Sequence, residues 1–439
     1  MAIERIKSFL FSKTSVAPLV VFRIAFGVMM FLSMTRFMAN GWIEMLYVQP
    51  KIFFPFYGFE WIKPLNETGM YAVFVALAVA TLFVALGLFY RASIITFFLL
   101  FTYVELIDKT NYLNHYYFIS IMNFLMALLP ANKKFSLDIL LGITKPSDEV
   151  PRWTIFTLQL QMATVYFFAG IAKINPDWLL NAMPLKIWLV SKSDLPLIGS
   201  LLTESWAPYL FSWCGMLFDV SIAIFLFNRR TVWYAYAFVI IFHVLTAILF
   251  PGIGMFPYIM IVCAMVFLPS KFHEKLLQLN PQSSIHNSQT TSIPSFQYAM
   301  VGILTVHFLI QVALPLRYTF YPDNLFYTEQ GYRFSWRVML MEKAGTVFFQ
   351  VKNVDGKLVE INNSDFLTIQ QEKQMSTQPD MILQFAHHLK EVYHTNEVYA
   401  EAYVCVNGRG SRLFIDPKIN LAEVNDDFSP KKWILADAR

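Results

Sequence analysis

The sequence predicts a mainly α protein: a polytopic helical membrane bundle of about nine spans, followed by a small C-terminal α+β domain. Three observations carry this. Of 439 residues, 56% are hydrophobic and only 15% are charged, against about 25% charged in a soluble domain. Long apolar runs recur from position 15 to position 316. Beyond 317 the runs shorten and are punctuated by turn signals. The chain therefore divides into a transmembrane domain, 1–316, and an extracytoplasmic α+β domain, 317–439.

Apolar runs of about 18–22 residues cross a bilayer as helices. They fall near 15–37, 69–90, 92–108, 114–131, 153–174, 208–228, 232–250, 254–269 and 295–316. The third and fourth are so close that a re-entrant pair is an alternative. "MAIERIKSFLFSK" carries an acidic residue, and the first long apolar run has no small-residue cleavage site, so that run reads as a retained span.

Lys and Arg favour cytoplasmic connections. Arg5, Lys7 and Lys13 precede the first span, Arg91 follows the second, and Lys133, Lys134, Lys145 and Arg152 lie between the fourth and fifth. Arg229, Arg230, Lys271 and Lys275 continue the alternation. This sets the N-terminus in the cytoplasm and the C-terminal domain on the outer face, together with Lys173 at the end of the fifth span.

Two long connections on the outer side, 40–69 and 175–208, are rich in aromatics and broken by proline. They read either as a belt in the headgroup zone or as walls of a pocket at lipid level, the second as short interfacial helices. The polar stretch 278–294 reads as a cytoplasmic linker. In the C-terminal part, "GTVFFQVKN" and "KLVEIN" flank "VDG" as a hairpin, "PDMILQFAHHLKEVY" has helical periodicity, and "EVYAEAYVCVNGRGSRLFIDP" reads as two strands around Asn-Gly.

Several function classes are excluded as expectations. The net charge of +4 and the lack of a basic run interleaved with aromatics argue against nucleic acid. Three scattered cysteines, Cys214, Cys263 and Cys405, suggest neither a disulfide framework nor a metal cluster. No H-x-x-x-H, C-x-x-C, phosphate loop or G-x-S-x-G occurs.

The residues able to do chemistry cluster at one membrane level. In "DKTNYLNHYYF" a helix would put Asp108, Asn111, Tyr112 and His115 on one face, with Asn114 beside His115. Such groups at membrane depth mark a polar cavity or a hydrogen-bonded helix junction. Lys173 closes the apolar run "YFFAGIAK". It is either a snorkelling amine paired with Asp177 or a desolvated amine able to act as a general base. His243 is ionisable within a span and precedes the helix-breaking "LFPGIGMFPYIM". His273 and His286 fall on the cytoplasmic side, His307 in the last span, and His387, His388 and His394 on the surface of the C-terminal helix. Arg333, Trp336 and Arg337 in "YRFSWRVMLM" offer either guanidinium sites for a carboxylate or headgroup contacts.

These pieces, in this order, resemble the vitamin K-dependent γ-glutamyl carboxylase family, in its bacterial branch with an HTTM domain. "DKTNYLNHYY" resembles the family's DKTSWNNHSY-type segment, and "VYFFAGIAKINPDW" is similar to its VYFIAGVKKLDADW-type segment. "LFPGIGMFPYIM" resembles a SIGMFSY stretch, and "GYRFSWRVMLM" and "RLFIDPKINL" resemble pieces of the outer domain. The resemblance implies an integral protein of the bacterial inner membrane in which Lys173 is the catalytic base, with His115, and in which Asn114, His115 and Lys173 hold the quinone. Weaker substrate contacts fall to Arg337, Trp336, Arg333 and His243. The implied cofactor is vitamin K hydroquinone or menaquinol, with O2 and CO2 as co-substrates and no metal. The implied partners are the lipid bilayer and a glutamate-containing peptide or protein, and no nucleic acid. The implied reaction oxidises the quinol to its epoxide and uses the strong base so formed to carboxylate glutamate. Ala172 stands where the animal enzymes carry a second lysine, and those enzymes continue well past the equivalent of Arg439, so quinone chemistry is implied more firmly than recognition of a protein substrate. The alternatives are a quinol epoxidase without carboxylation, and a lipid-binding or transport protein in which Lys173 and His115 line a vestibule.

Overall fold

The computed structural model describes residues 2–279 and 294–435. A short amphipathic helix, α1 (Ala2–Phe11), leads into β1 (Lys13–Ser15), which pairs antiparallel with β2 (Glu149–Pro151). The bundle consists of α2 (Ala17–Ala39), α3 (Glu67–Leu86), α4 (Tyr90–Ile107), α5 (Asn114–Leu128), α6 (Arg152–Ala172), α7 (Ala207–Phe227), α8 (Val232–Leu249), α9 (Phe256–Ala264) and α10 (Ser295–Leu316). Each is apolar nearly all round. In lipid only a helix satisfies its own backbone, so these runs have one good solution.

All nine apolar runs are helical, consistent with the expected polytopic bundle, though two of the helices are short. Among the described residues seven helices are long and apolar enough to span a bilayer, or eight if the bent pair Phe256–Phe267 and Ser270–Leu276 is one span. The fourth run yields α5, with 15 residues, or about 22 Å at 1.5 Å per residue against a ~30 Å hydrocarbon core. A turn at Lys109–Asn111 delays its start, and Pro130 follows its end. The eighth run yields α9, with 9 residues, and then a 110° bend into Ser270–Leu276. Residues 280–293, most of the expected linker, and His286 with them, lie outside the described residues.

Two close approaches shape the bundle. A Cβ added at Gly27 of α2 would meet the backbone nitrogen of Ala85 on α3 at 2.6 Å. A Cβ on Gly170 of α6 would meet Cγ2 of Val220 at 2.6 Å and its backbone nitrogen at 2.7 Å. Only glycine lets these helix pairs come so near, and Gly170 lies one turn before Lys173.

The C-terminal domain is a four-stranded antiparallel sheet in the order β4-β3-β5-β6: β3 (Lys343–Lys352), β4 (Leu358–Ile361), β5 (Val398–Val406) and β6 (Arg412–Leu413). Phe349 sits opposite Ile361 on one side and Ala400 on the other. Two helices, α11 (Ile369–Met375) and α12 (Pro379–Tyr393), complete it, and α12 lays Ile382, Phe385, Ala386 and Leu389 on the sheet. The β3–β4 hairpin and the β5–β6 pair are as the turns predicted, with Asn407 and Gly408 at φ 51° and 70°. His387 and His388 are half-buried instead of surface residues, and His387 shares a hydrogen bond with the Val424 carbonyl at 2.9 Å.

The aromatic connection 40–66 is more than a belt: Trp42 and Tyr47 line one cavity, and Phe56 and Phe59 another. Phe54 is 1% exposed in the core of the C-terminal domain. The backbone around it accepts hydrogen bonds from Gln371 at Ile52 (2.8 Å) and Gln384 at Pro55 (3.2 Å). The connection is a plug that fastens the two parts together.

Candidate functional site

A cavity of about 300 Å³ opens where α6, α7 and α8 meet the 175–206 connection. Its wall is almost wholly apolar: Trp178, Trp188, Phe211, Phe242, Phe250 and Phe256 supply most of it. The connection contributes as short helices, Pro176–Leu179, Leu185–Val190 and Gly199–Leu202, as expected of that stretch. Trp178 is anchored by its indole N–H donating to the Ser212 carbonyl at 2.8 Å, while the Ser212 hydroxyl donates back to the Trp178 carbonyl.

Two polar pairs face this space. Lys173 ends α6, and its Nζ donates to Asp219 Oδ2 of α7 at 2.6 Å and to the Ala169 carbonyl at 3.2 Å. Both side chains of the pair are 8% exposed. The amine also lies 5.5 Å from the ring of Trp178. The second pair is Tyr166 Oη with His243 Nε2, at 3.0 Å. His243 Nδ1 is buried without a hydrogen-bond partner among the described residues. Buried polar atoms are seldom left so, and this one belongs to a residue on the cavity wall.

The partner of Lys173 is thus Asp219. Asp177, the expected snorkelling partner, accepts instead from Asn407 at 2.8 Å and from Arg409, tying the 175–206 connection to the C-terminal domain. Asp219 was missed from the sequence. The signal was present, since "GMLFDVSIAIF" holds a lone carboxylate inside an apolar run, and an acid at that depth is a functional candidate by default.

The expected face of Asp108, Asn111, Tyr112 and His115 does not form, because the helix breaks between 107 and 114. Asp108 accepts from Gln371 at 3.0 Å and Asn111 from Gln370 at 3.1 Å, both in the C-terminal domain. His115 does not line the Lys173 cavity. It lines a second, smaller one, with the ring of Phe256 between: Phe256 is 6.0 Å from His115 and 5.8 Å from His243, centroid to centroid.

Asn114 acts at one remove. Its Nδ2 donates to the Arg337 carbonyl at 2.9 Å, and its Oδ1 accepts from Tyr112 at 3.0 Å. The residues after Arg337, Val338 and Met339, line the Lys173 cavity. The strap holding them is strained: Phe334, Trp336 and Met339 have φ of 59°, 60° and 52°. Such residues cost about 1–3 kcal/mol each and persist only where the surroundings over-determine them. Here Tyr112 accepts from the Phe334 N–H at 2.7 Å, and Trp336 is stacked on Tyr117 at 4.9 Å. Trp336 is 1% exposed and Arg337 lies 4.3 Å over the ring of Tyr318. Neither lines the cavity.

Arg333 is elsewhere again. Its Nη1 donates to Asp380 of α12 at 2.6 Å, and Lys109 meets the same carboxylate at 2.8 Å. Burial alone would raise the Asp380 carboxyl, but Arg333 and Lys109 outweigh it and hold it far below its ordinary value. Of the expected residues, then, Lys173 and His243 share one cavity. Asn114 positions its wall, His115 stands behind that wall, and Arg333 joins the two parts of the molecule. Among the described residues no group of three or more His, Cys, Asp or Glu could hold a metal ion.

Residues 11–272 match the family model of the HTTM domain, and residues 296–439 match that of the vitamin K-dependent gamma-carboxylase, lumenal domain. No solved structure matches the chain.

Proposed function

The chain belongs to the vitamin K-dependent gamma-carboxylase family, and from that premise we propose that the Lys173 cavity binds a reduced naphthoquinone and drives its oxidation to the epoxide. The observation that carries this is the Lys173–Asp219 pair, buried at 2.6 Å beside an apolar cavity. A cavity of about 300 Å³ is within the range of small-molecule sites. Its flat aromatic walls suit a bicyclic ring, and the unpartnered His243 Nδ1 suits a hydroxyl on that ring. When bound, the quinol supplies reducing power towards oxygen and, in the family's chemistry, the strong base that abstracts a glutamyl γ-proton.

The chain's own part is proton handling and exclusion of water. In water a lysine and an aspartate are both charged. In an apolar site that charge separation is penalised. The Lys173–Asp219 pair is read as one unit, in which Asp219 holds and orients the amine that serves as the base. Tyr166 holds His243 Nε2 and so fixes which ring nitrogen faces the ligand. Trp178, Trp188, Phe250 and Phe256 keep bulk water off the reacting centre.

Epoxidation is better supported than glutamate handling. The guanidinium groups expected to receive a glutamyl carboxylate are engaged: Arg333 with Asp380, and Arg337 over Tyr318. The alternation of basic connections supports a cytoplasmic N-terminus with the C-terminal domain across the membrane. The test is purified protein with reduced vitamin K, oxygen, labelled bicarbonate and a glutamyl peptide. Epoxide with labelled peptide supports the full carboxylase, and epoxide without label supports the oxidase alone. No epoxide from the wild type defeats both.

A further inference from the structure

Three cavities lie in a row. The first holds Lys173 and His243. The second, about 140 Å³, is lined by His115, Arg36, Tyr47, Tyr116 and the Gly252–Met255 loop. The third, about 360 Å³, is lined by Thr102, Tyr112, Tyr117, Ser120, His307 and Gln311, and its rim includes Phe59, which is 39% exposed. The first two meet at Ile253, which lines both, between Gly252 and Gly254. A Cβ at Gly252 would meet nothing within 4 Å, and Gly254 has φ 68°. The second and third cavities meet at Glu105, which lines both.

Glu105 is the unusual member. It sits in α4, two residues before that helix ends at Ile107, and makes no hydrogen bond or ion pair among the described residues. A carboxyl on the wall of two adjoining cavities is costly without a partner, and a usual reason to keep one is a path for ions or protons. The chemistry of the proposed function needs such a path. Quinol plus O2 gives epoxide plus water, with no proton left over. Replacing a glutamyl γ-hydrogen by the carboxylate formed from CO2 leaves one proton per turnover, and the base must also be reset in a site closed to water. We propose that Glu105 is a proton-relay residue, which takes protons from the His115 cavity and passes them to the third cavity and on to the surface. This rests on the reading of Lys173 as the base and on the carboxylation step, the one that leaves a proton.

The groups that face Glu105 are Arg36 from α2, Tyr47 from the 40–66 connection, His115, Tyr116 and Tyr117 from α5, Tyr112 before it, and His307 from α10. Arg36, which lines the second cavity with Glu105, lies over the Trp42 ring at 5.0 Å.

Two readouts test the relay. In ligand-free protein, infrared difference spectra between acid and alkaline buffer should contain a carboxyl band that disappears in Glu105→Gln and shifts promptly in D2O. A band that does not titrate, or is closed to D2O, overturns the proposal. In turnover, Glu105→Gln should lower the maximal rate about 10²-fold with the quinol KM unchanged. Glu105→Asp should recover most of it, and small weak acids such as imidazolium should rescue Glu105→Gln. An active wild type with Glu105→Gln at full rate, or a loss that weak acids do not restore, overturns the relay alone. A wild type with no turnover overturns the Lys173 reading and the relay with it.

Discussion

Two of the lysine–carboxylate contacts that the protein buries look alike as lists of atoms and differ in everything around them. Lys109 meets Asp380 at 2.8 Å and Lys173 meets Asp219 at 2.6 Å. Asp380 is saturated: Arg333 and Lys109 both donate to it, and Arg333 also donates to Gln378. Lys109 is itself held through its backbone N–H, which donates to the Phe54 carbonyl at 2.8 Å. Among the described residues Asp219 receives only Lys173, and beside that pair is a cavity. A fully partnered ion cluster between two packed parts is a staple. A minimally partnered one beside empty apolar space is a reagent. Partner count and free volume, more than burial, separate the two.

The largest expected effect comes from replacing the second pair by hydrocarbon. Lys173→Met with Asp219→Leu should lower epoxide formation by about 10²–10⁴-fold. The melting temperature should hold, because exchanging both partners of a buried pair for apolar groups is close to neutral. A melting temperature that collapses in the double variant would make this pair a staple as well.

Next is Asp380→Asn, which strands Lys109 and Arg333 with no carboxylate. Loss of one partner of a buried pair costs about 3–5 kcal/mol. It should appear as faster hydrogen exchange in α12 and easier proteolysis of the C-terminal domain.

Gly170→Ala sharpens the contrast from the backbone side. Its methyl would lie 2.6–2.7 Å from Val220, so α6 and α7 must part, at a cost of about 1–3 kcal/mol. Since Val220 adjoins Asp219, the expected signature is a fall in rate larger than the fall in stability implies.

The smallest effect is with pH. Asp380 is held below its ordinary value of 3.8. A depressed carboxyl contributes stability in full above the unfolded value and loses it as pH falls through the folded one. Exchange in α12 should therefore be flat from neutral pH down to about 4 and should rise only below that; in Asp380→Asn this acid-dependent component should be absent.

Much of this was legible in the sequence because the controlling physics is local. Nine apolar runs became nine helices, and Asn407-Gly408 turned β5 into β6. Lys173 and His243 stood out as ionisable groups in apolar company. What was not legible depended on which distant segments meet. Nothing near Lys173 in sequence names Asp219, 46 positions on. Asp177, four positions on, looked the better partner until the fold gave it to Asn407 and Arg409. The polar face of 108–115 assumed a continuous helix, and the turn at Lys109–Asn111 broke it. Arg333, Trp336 and Arg337 were read as ligand contacts for their chemistry, whereas their partners, Asp380, Tyr117 and Tyr318, come from elsewhere in the chain.

The most direct test is the epoxide-forming rate per folded molecule, measured side by side in wild type, Lys173→Ala and Asp380→Asn at a temperature where all three stay folded. The account predicts a near wild-type rate for Asp380→Asn and a rate about 10²-fold or more lower for Lys173→Ala. Undiminished epoxide from Lys173→Ala would contradict it.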